Sequence, residues 1–343
     1  MEPPSPPVMS CRLCRAADLR LSLRDVPRIG AAQPSRFSIY RCTTCGLLQT
    51  APEPSAEELG GAYGPAYTWQ HQATIVARLE AWYRRALVRI DQARTLQAAA
   101  RLAGGRSVLD IGCGDGLLVS EARRLGLDAV GIDRPDAPLW PACDPAWRQA
   151  GDIEDLKAPT QAWDVVALFH ALEHLRDPVR VLTTLRRWLR DSGVLVLQVP
   201  NAGSLQARLF GRHWYSLDIP RHLTHWTEAT LTSALQRAGF AVVATRRLPW
   251  RDSGQALAGS LLPQLDPLID RERLQGGESA RPIVVTILRR AIFLATVWLV
   301  TPFVLLEAAL GRPATLTILA RKTGDVDALP RSDQTNNRPA TPI

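Results

Sequence analysis

Val108-Leu-Asp-Ile-Gly-Cys-Gly-Asp-Gly-Leu-Leu-Val119 sets three glycines, Gly112, Gly114 and Gly116, between a β-type run and a segment with helical spacing. Glycine lets the backbone turn sharply there and come close to a ligand, and the first turn of the following helix offers unpaired N–H groups. A strand-to-helix turn of this kind also serves packing alone, and nicotinamide enzymes use a related version, so its surroundings decide its meaning.

Upstream, Ile75, Leu79, Trp82, Tyr83, Ala86 and Ile90 recur at helical intervals between His71 and Arg101, and Gly104 and Gly105 stop that amphipathic helix. Downstream, the pattern predicts strands over Ser107–Ile111, Ala129–Asp133, Val165–Phe169 and Val194–Val199, with helices over Leu117–Leu125 and Val179–Leu189. A helix over Thr227–Ala238 and strands over Phe240–Leu248 and Ala314–Arg321 follow. Alternation of this type implies an α/β fold whose parallel sheet is covered by helices on both faces. Asp133 falls 19 residues after Gly114, at the end of the next strand, where a carboxylate can accept hydrogen bonds from ribose hydroxyls.

From Ser107 to Phe240 the chain resembles the class I methyltransferases that use S-adenosylmethionine, through LDIGCGDG, GID, GDIEDL, WDVVALFHALEHLRDP and SGVLVLQVPN in that order. The resemblance implies a Rossmann-like sheet with Asp110 and the Gly112–Gly116 loop near the methionine part of the cofactor. It implies Asp133 on the ribose, Asp152 and Ile153 beside the adenine, and Phe169 and His170 lining the pocket. Phe210 to Trp226 (FGRHWYSLDIPRHLTHW) resembles a stretch of bacterial methyltransferases of saccharide and other small-molecule pathways, many of which begin with paired cysteines.

A sulfonium methyl is already electrophilic, so the protein must align a nucleophile with it and, where needed, take up a proton. His222 is the first candidate base and His225 the second; a structural hydrogen bond is the competing role for each. Val165–Phe169 is not followed by Asn-Pro-Pro-Tyr or Asp-Pro-Pro-Tyr, which enzymes acting on base or amide nitrogen commonly carry, and Phe169-His170-Ala171-Leu172 stands there instead. A small-molecule oxygen or carbon, on a saccharide or lipid-linked intermediate, is the expected acceptor.

Cys11 and Cys14, and Cys42 and Cys45, form two Cys-x-x-Cys knuckles 27 residues apart, a donor set suited to tetrahedral zinc. A structural zinc ribbon is the default reading, with substrate or partner recognition as the sharper one. Zinc ribbons also precede certain ribosomal RNA methyltransferases, so RNA is the rival substrate. Nucleic acid is nevertheless disfavoured, because Cys11–Gln49 has no dense arginine run interleaved with aromatics. The third reading is a binding or assembly protein that keeps the fold without turnover.

The net charge of +8 comes almost wholly from arginine, since Lys157 and Lys322 are the only lysines, and it fits nucleic acid, anionic lipid or phosphorylated ligands without choosing among them. The first ten residues hold four prolines and no apolar stretch, so a cytoplasmic location is expected. Ala291 to Leu306 (AIFLATVWLVTPFVLL) carries no charge, yet is short of the roughly 20 residues of a membrane span. If both flanking strands share one sheet, a single crossing is excluded. Residues 282–311 are therefore expected to form a helical hairpin broken near Pro302, which caps the substrate site or dips into an anionic membrane surface at the inner face, or else pairs in a homodimer.

The expected organisation is a zinc-ribbon module and linker at 1–64, a cofactor-binding core at 65–249, an apolar helical insertion at 250–313, the last core strand at 314–322 and a disordered tail at 323–343.

Overall fold

The computed structural model describes residues 9–29, 35–62, 75–134, 139–140, 143–151, 153, 160–247, 250–270 and 281–324, side chains excepted at 75–80, 250 and 251. Asp152 and the tail beyond Gly324 lie outside the described residues.

Near the N-terminus, β1 (Leu19–Leu23), β2 (Ser38–Cys42) and β3 (Leu48–Ala51) pair antiparallel. Their fourth partner is β9 (Thr224–His225), which pairs Leu48 with His225 and Gln49 with Thr224. The ribbon therefore shares a sheet with a segment of the core. The stretch read as linker also contains structure: α1 (Ala56–Ala62) starts at a reciprocal cap, in which Ser55 Oγ accepts from the Glu58 N–H at 3.1 Å and Glu58 accepts from the Ser55 N–H at 2.8 Å.

The core is a seven-stranded sheet built from β4 (Ser107–Ile111), β5 (Asp128–Asp133), β6 (Arg148–Ala150), β7 (Trp163–Phe169), β8 (Leu189–Pro200), β10 (Phe240–Arg246) and β11 (Thr315–Lys322). Its order is β10-β11-β8-β7-β4-β5-β6. β11 alone runs antiparallel, inserted between β10 and β8. Leu109, Ile111, Val166, Leu168, Leu195 and Leu197 face one buried layer, while the alternate residues Val108, Val165, Ala167, Val194 and Val196 face the other. Both faces are apolar because helices cover both, so the strands read as nearly continuous hydrophobic runs.

The amphipathic helix before the glycine loop is interrupted. α2 (Ile75–Val88) passes through a π-helical turn, Arg89–Ala93, into α3 (Arg94–Ala103), which ends at Gly104 with φ of 76°. One extra residue per turn rotates the faces, so Leu96, Ala99 and Ala103 meet the sheet while Arg84, Arg85 and Arg89 reach α4 (Leu117–Arg124) and the loop before it. α5 (Pro178–Trp188), α6 (Leu205–Phe210), α7 (Glu228–Arg237) and α8 (Trp250–Leu261) complete the cover.

The apolar insertion is a single rod and not the hairpin expected from Pro302. α9 (Ile283–Leu299) and α10 (Thr301–Ala309) meet at Val300, which keeps right-handed helical angles. Val300 N–H donates to Thr296 and Val304 N–H to Val300, so hydrogen bonding continues through the junction. Pro302 falls in the first turn of α10, where a missing N–H costs little, and no glycine or asparagine is present to reverse the chain.

Candidate functional site

The glycine loop sits between β4 and α4, beside the point where successive strands leave β4 for opposite sides of the sheet, which is where ligands bind in open α/β sheets. Gly112, Gly114 and Gly116 have φ of 74°, 58° and 79°, the left-handed region that side chains resist. A Cβ on Gly112 would lie 2.8 Å from that of Ala171, and one on Gly116 would lie 2.5 Å from Cys143 Sγ. A Cβ on Gly114 would meet nothing within 4 Å, so this glycine faces open space.

Asp133 ends β5, accepting from the Gly114 N–H at 2.5 Å and the Arg134 N–H at 2.7 Å. A carboxylate has lone pairs to spare for ribose hydroxyls beyond these two. Asp110 is buried with Oδ1 unpartnered among the described residues, and burial, then Asp133, raises its pKa well above the usual carboxylate range. Ile153 Cδ1 stands 3.9 Å from the Gly112 Cβ position, against the loop. Phe169 is buried at the end of β7. Together these groups fit a cofactor with a ribose and an apolar ring. Two supports were not read from the sequence. Asp115 is held by Arg84 across the loop, and Glu121 of α4 by Arg85 and Arg89 at 2.6 Å each.

His170 follows β7 with φ of 54°. Nδ1 lies 3.4 Å from Glu173 and Nε2 lies 3.1 Å from Asp252, in the first turn of α8. Burial opposes the charge, but Asp252 and then Glu173 outweigh it and lift the pKa to about 10. The ring is therefore an imidazolium at neutral pH, more than a passive pocket wall. Asp252 carried no sequence signal, since it reaches His170 only through the packing of α8.

The two candidate bases lie farther back. His222 is nearly buried, with Nδ1 at 2.9 Å from the Ser216 carbonyl and Nε2 at 3.9 Å from Glu173 and 3.7 Å from Asp218. Burial, aided by His174, lowers its pKa to about 4, so it is neutral and its Nε2 is the acceptor. His225 Nε2 pairs with Thr50 Oγ1 at 3.1 Å inside the seam between β3 and β9, and burial lowers its pKa to about 3. That places His225 in the framework. The Glu173 carboxylate is fully buried, and burial alone would raise its pKa, but the neighbouring His170 imidazolium outweighs that and lowers it.

In the ribbon, Cys11 and Cys45 sulfurs lie 3.4 Å apart and those of Cys14 and Cys42 3.5 Å apart. All four lie within 4.8 Å of one another. Each knuckle closes by a backbone turn, Arg15 N–H to Cys11 and Gly46 N–H to Cys42, with Arg15 and Gly46 at φ of 63° and 80°. Four thiols converging in this way fit a tetrahedral zinc ion, whose bonds to sulfur are about 2.3 Å.

Residues 81–245 match a family described as a methyltransferase domain. A ubiquinone biosynthesis O-methyltransferase of Cereibacter sphaeroides is 32% identical over 150 residues, 40% of this chain and 60% of that protein. A probable S-adenosylmethionine-dependent methyltransferase of Mycolicibacterium smegmatis is 32% identical over 177 residues, 48% of this chain and 61% of that protein. The chain thus spans about three-fifths of the curated relatives it matches. A Burkholderia thailandensis 1,6-didemethyltoxoflavin-N1-methyltransferase, solved with 1,6-didemethyltoxoflavin and S-adenosylhomocysteine, aligns over 87% of this chain and 99% of its own at 16% identity and a TM-score of 0.46. In its strand order, glycine loop and acidic β5 terminus, the core of this chain is similar to the class I S-adenosylmethionine-dependent methyltransferases.

Proposed function

We propose that the protein transfers a methyl group from S-adenosylmethionine to a hydroxyl oxygen of a small amphipathic acceptor, with zinc holding the ribbon. The observation that carries this reading is His170, clamped between Glu173 and Asp252 at the end of β7 beside the glycine loop. Relatives named as O-methyltransferases support oxygen as the nucleophile.

Bound in the crevice, the cofactor supplies a methyl group made electrophilic by its sulfonium. Asp133 orients the ribose and the Gly112–Gly116 backbone admits the methionine part. The acceptor oxygen sits beside Asp252 and its proton passes to that carboxylate, which His170 holds in place through Nε2, while the positive charge of the imidazolium offsets the negative charge that develops on the oxygen. The acceptor would exchange its O–H bond for an O–CH3 bond, and the cofactor would supply the methyl by giving it up from the sulfonium, so charge and atoms balance. Glu173 keeps His170 protonated, which makes it a positioning residue.

The test is transfer of labelled methyl to an acceptor panel of prenylated phenols, catechols and lipid-linked saccharides. Asp252→Asn is expected to lower kcat about 10²-fold or more while leaving cofactor binding intact. Unchanged kcat in that variant on an accepted substrate would reject this assignment of the base.

A further inference from the structure

The rod Ile283–Ala309 is long and apolar enough by composition to cross a membrane, yet both ends are fastened to the core. At its start, Asp270 holds Arg281 at 2.6 Å and Arg289 at 3.1 Å. At its end, buried Glu307 accepts from the Gln206 N–H at 2.8 Å and Nε2 at 2.7 Å. Between them, α8 lies along the rod, where a Cβ on Gly254 would come 3.2 Å from Val297. The chain then returns to β11, between β10 and β8 in the sheet. A crossing would pull apart one of these fastenings.

What the rod leaves outside is uniform. Val284, Ile287, Leu288, Trp298, Leu299 and Leu306 are exposed, Leu299 at 80% and Trp298 at 64%. Thr286, Arg289, Arg290, Thr296, Thr301 and Glu307 are all half-buried or buried. At about 100° per residue the exposed apolar positions cover an arc of about 200° that runs unbroken through Val300, along roughly 40 Å of helix. An area on the order of 700 Å² results, above the largest apolar patch of an ordinary monomer. A facing helix covers a stripe of about 100°. A second copy would thus leave half of this arc in water, whereas lipid closes over all of it.

The surroundings of the rod's end are basic. Exposed Arg208, Arg212 and Arg312 have no acidic partner among the described residues, and Leu209 between them is 67% exposed. Leu205 N–H donates to the Arg312 carbonyl at 3.4 Å, which puts α6 beside the rod's exit.

We infer that the rod lies flat in the headgroup and acyl boundary of an anionic bilayer, with Arg208, Arg212 and Arg312 against lipid phosphates. Such in-plane helices bind through buried apolar area plus attraction to anionic headgroups, and an exposed Trp suits that depth. α8 joins this surface to the site, because Asp252 meets His170 in the turn that precedes Gly254. An acceptor embedded in the bilayer would therefore reach the methyl-transfer pocket along α8.

The experiment is co-sedimentation of the full-length, zinc-loaded protein with phosphatidylcholine vesicles containing phosphatidylglycerol. Wild type is expected to pellet with them, and more weakly with phosphatidylcholine alone. Leu288→Glu with Leu299→Glu is expected to lower the partition coefficient at least about tenfold with zinc content and cofactor binding unchanged. As a second readout, brominated lipid should quench an emission component that Trp298→Phe removes, and more strongly from shallow than from central bromines. A protein that stays in the supernatant, quenching strongest from the bilayer centre, or a dimer that the double substitution breaks would each overturn the inference. Cofactor titration of wild type without vesicles is separate, so its failure would strike the catalytic reading alone.

Discussion

Asp133 accepts from two backbone N–H groups while facing the crevice, so its removal loosens the glycine loop as well as the ribose contact. Asp133→Ala is expected to weaken S-adenosylmethionine binding about 10- to 100-fold by calorimetric titration, the range for losing a charge-assisted hydrogen-bonded pair. Histidines set the response to pH. Folded His222 and His225 titrate at about 4 and about 3, below the roughly 6.5 of an unfolded chain. As pH falls below 6.5 the unfolded chain takes up protons first, so stability drops from there down to those values. His170 works in the opposite sense: its contribution is complete below about pH 6.5 and is lost as pH rises towards about 10. Melting temperatures across pH 4 to 9 should show losses on both sides, and His222→Gln should flatten the acid side. Asp133 was legible because its spacing from Gly114 is fixed by one strand and one helix. The clamp on His170 was not, because Asp252 arrives from α8, which no local pattern ties to β7.

Among the elements, six of the seven core strands followed from apolar alternation and glycine placement with bounds that differ by a few residues at the ends, whereas β6 and the helices α6 and α8 did not. β8 is the largest extension, from the expected Val194–Val199 to Leu189–Pro200. The rod shows where pattern reading failed. Proline in a sequence suggests a break, but its cost depends on whether the missing N–H would have had a partner, and in the first turn of α10 it has none to lose. The π turn was equally hidden, because Arg84, Arg85 and Arg89 meet Asp115 in the glycine loop and Glu121 in α4, partners that no local pattern reveals. β9 is too short for any pattern, two residues that become a strand only because β3 lies beside them.

At the scale of the molecule, ribbon and core should melt together. Thr50 N–H donates to the Leu223 carbonyl, Thr50 Oγ1 donates to the His222 carbonyl at 2.6 Å, and Arg15 reaches Asp177 at 2.6 Å. Calorimetric unfolding is expected to give one transition, which moves to lower temperature when a chelator strips the metal or Cys42 becomes Ser. Two transitions, with only the smaller one sensitive to chelation, would restore the independent module expected from the sequence. The excess of arginine, ambiguous as a bulk charge, acquires a place once Arg208, Arg212 and Arg312 are found around the end of the rod.

The pairing of β3 with β9 also restricts how this protein's parts can be exchanged. A ribbon taken from a relative and fused near Pro52 would arrive without the Leu223-Thr224-His225 edge that completes its sheet, and the host's His222 would lose the Thr50 hydroxyl that secures its carbonyl. Functional chimeras should therefore inherit residues 9–51 and 211–226 from the same parent, two stretches far apart in the gene that the fold makes a single heritable unit.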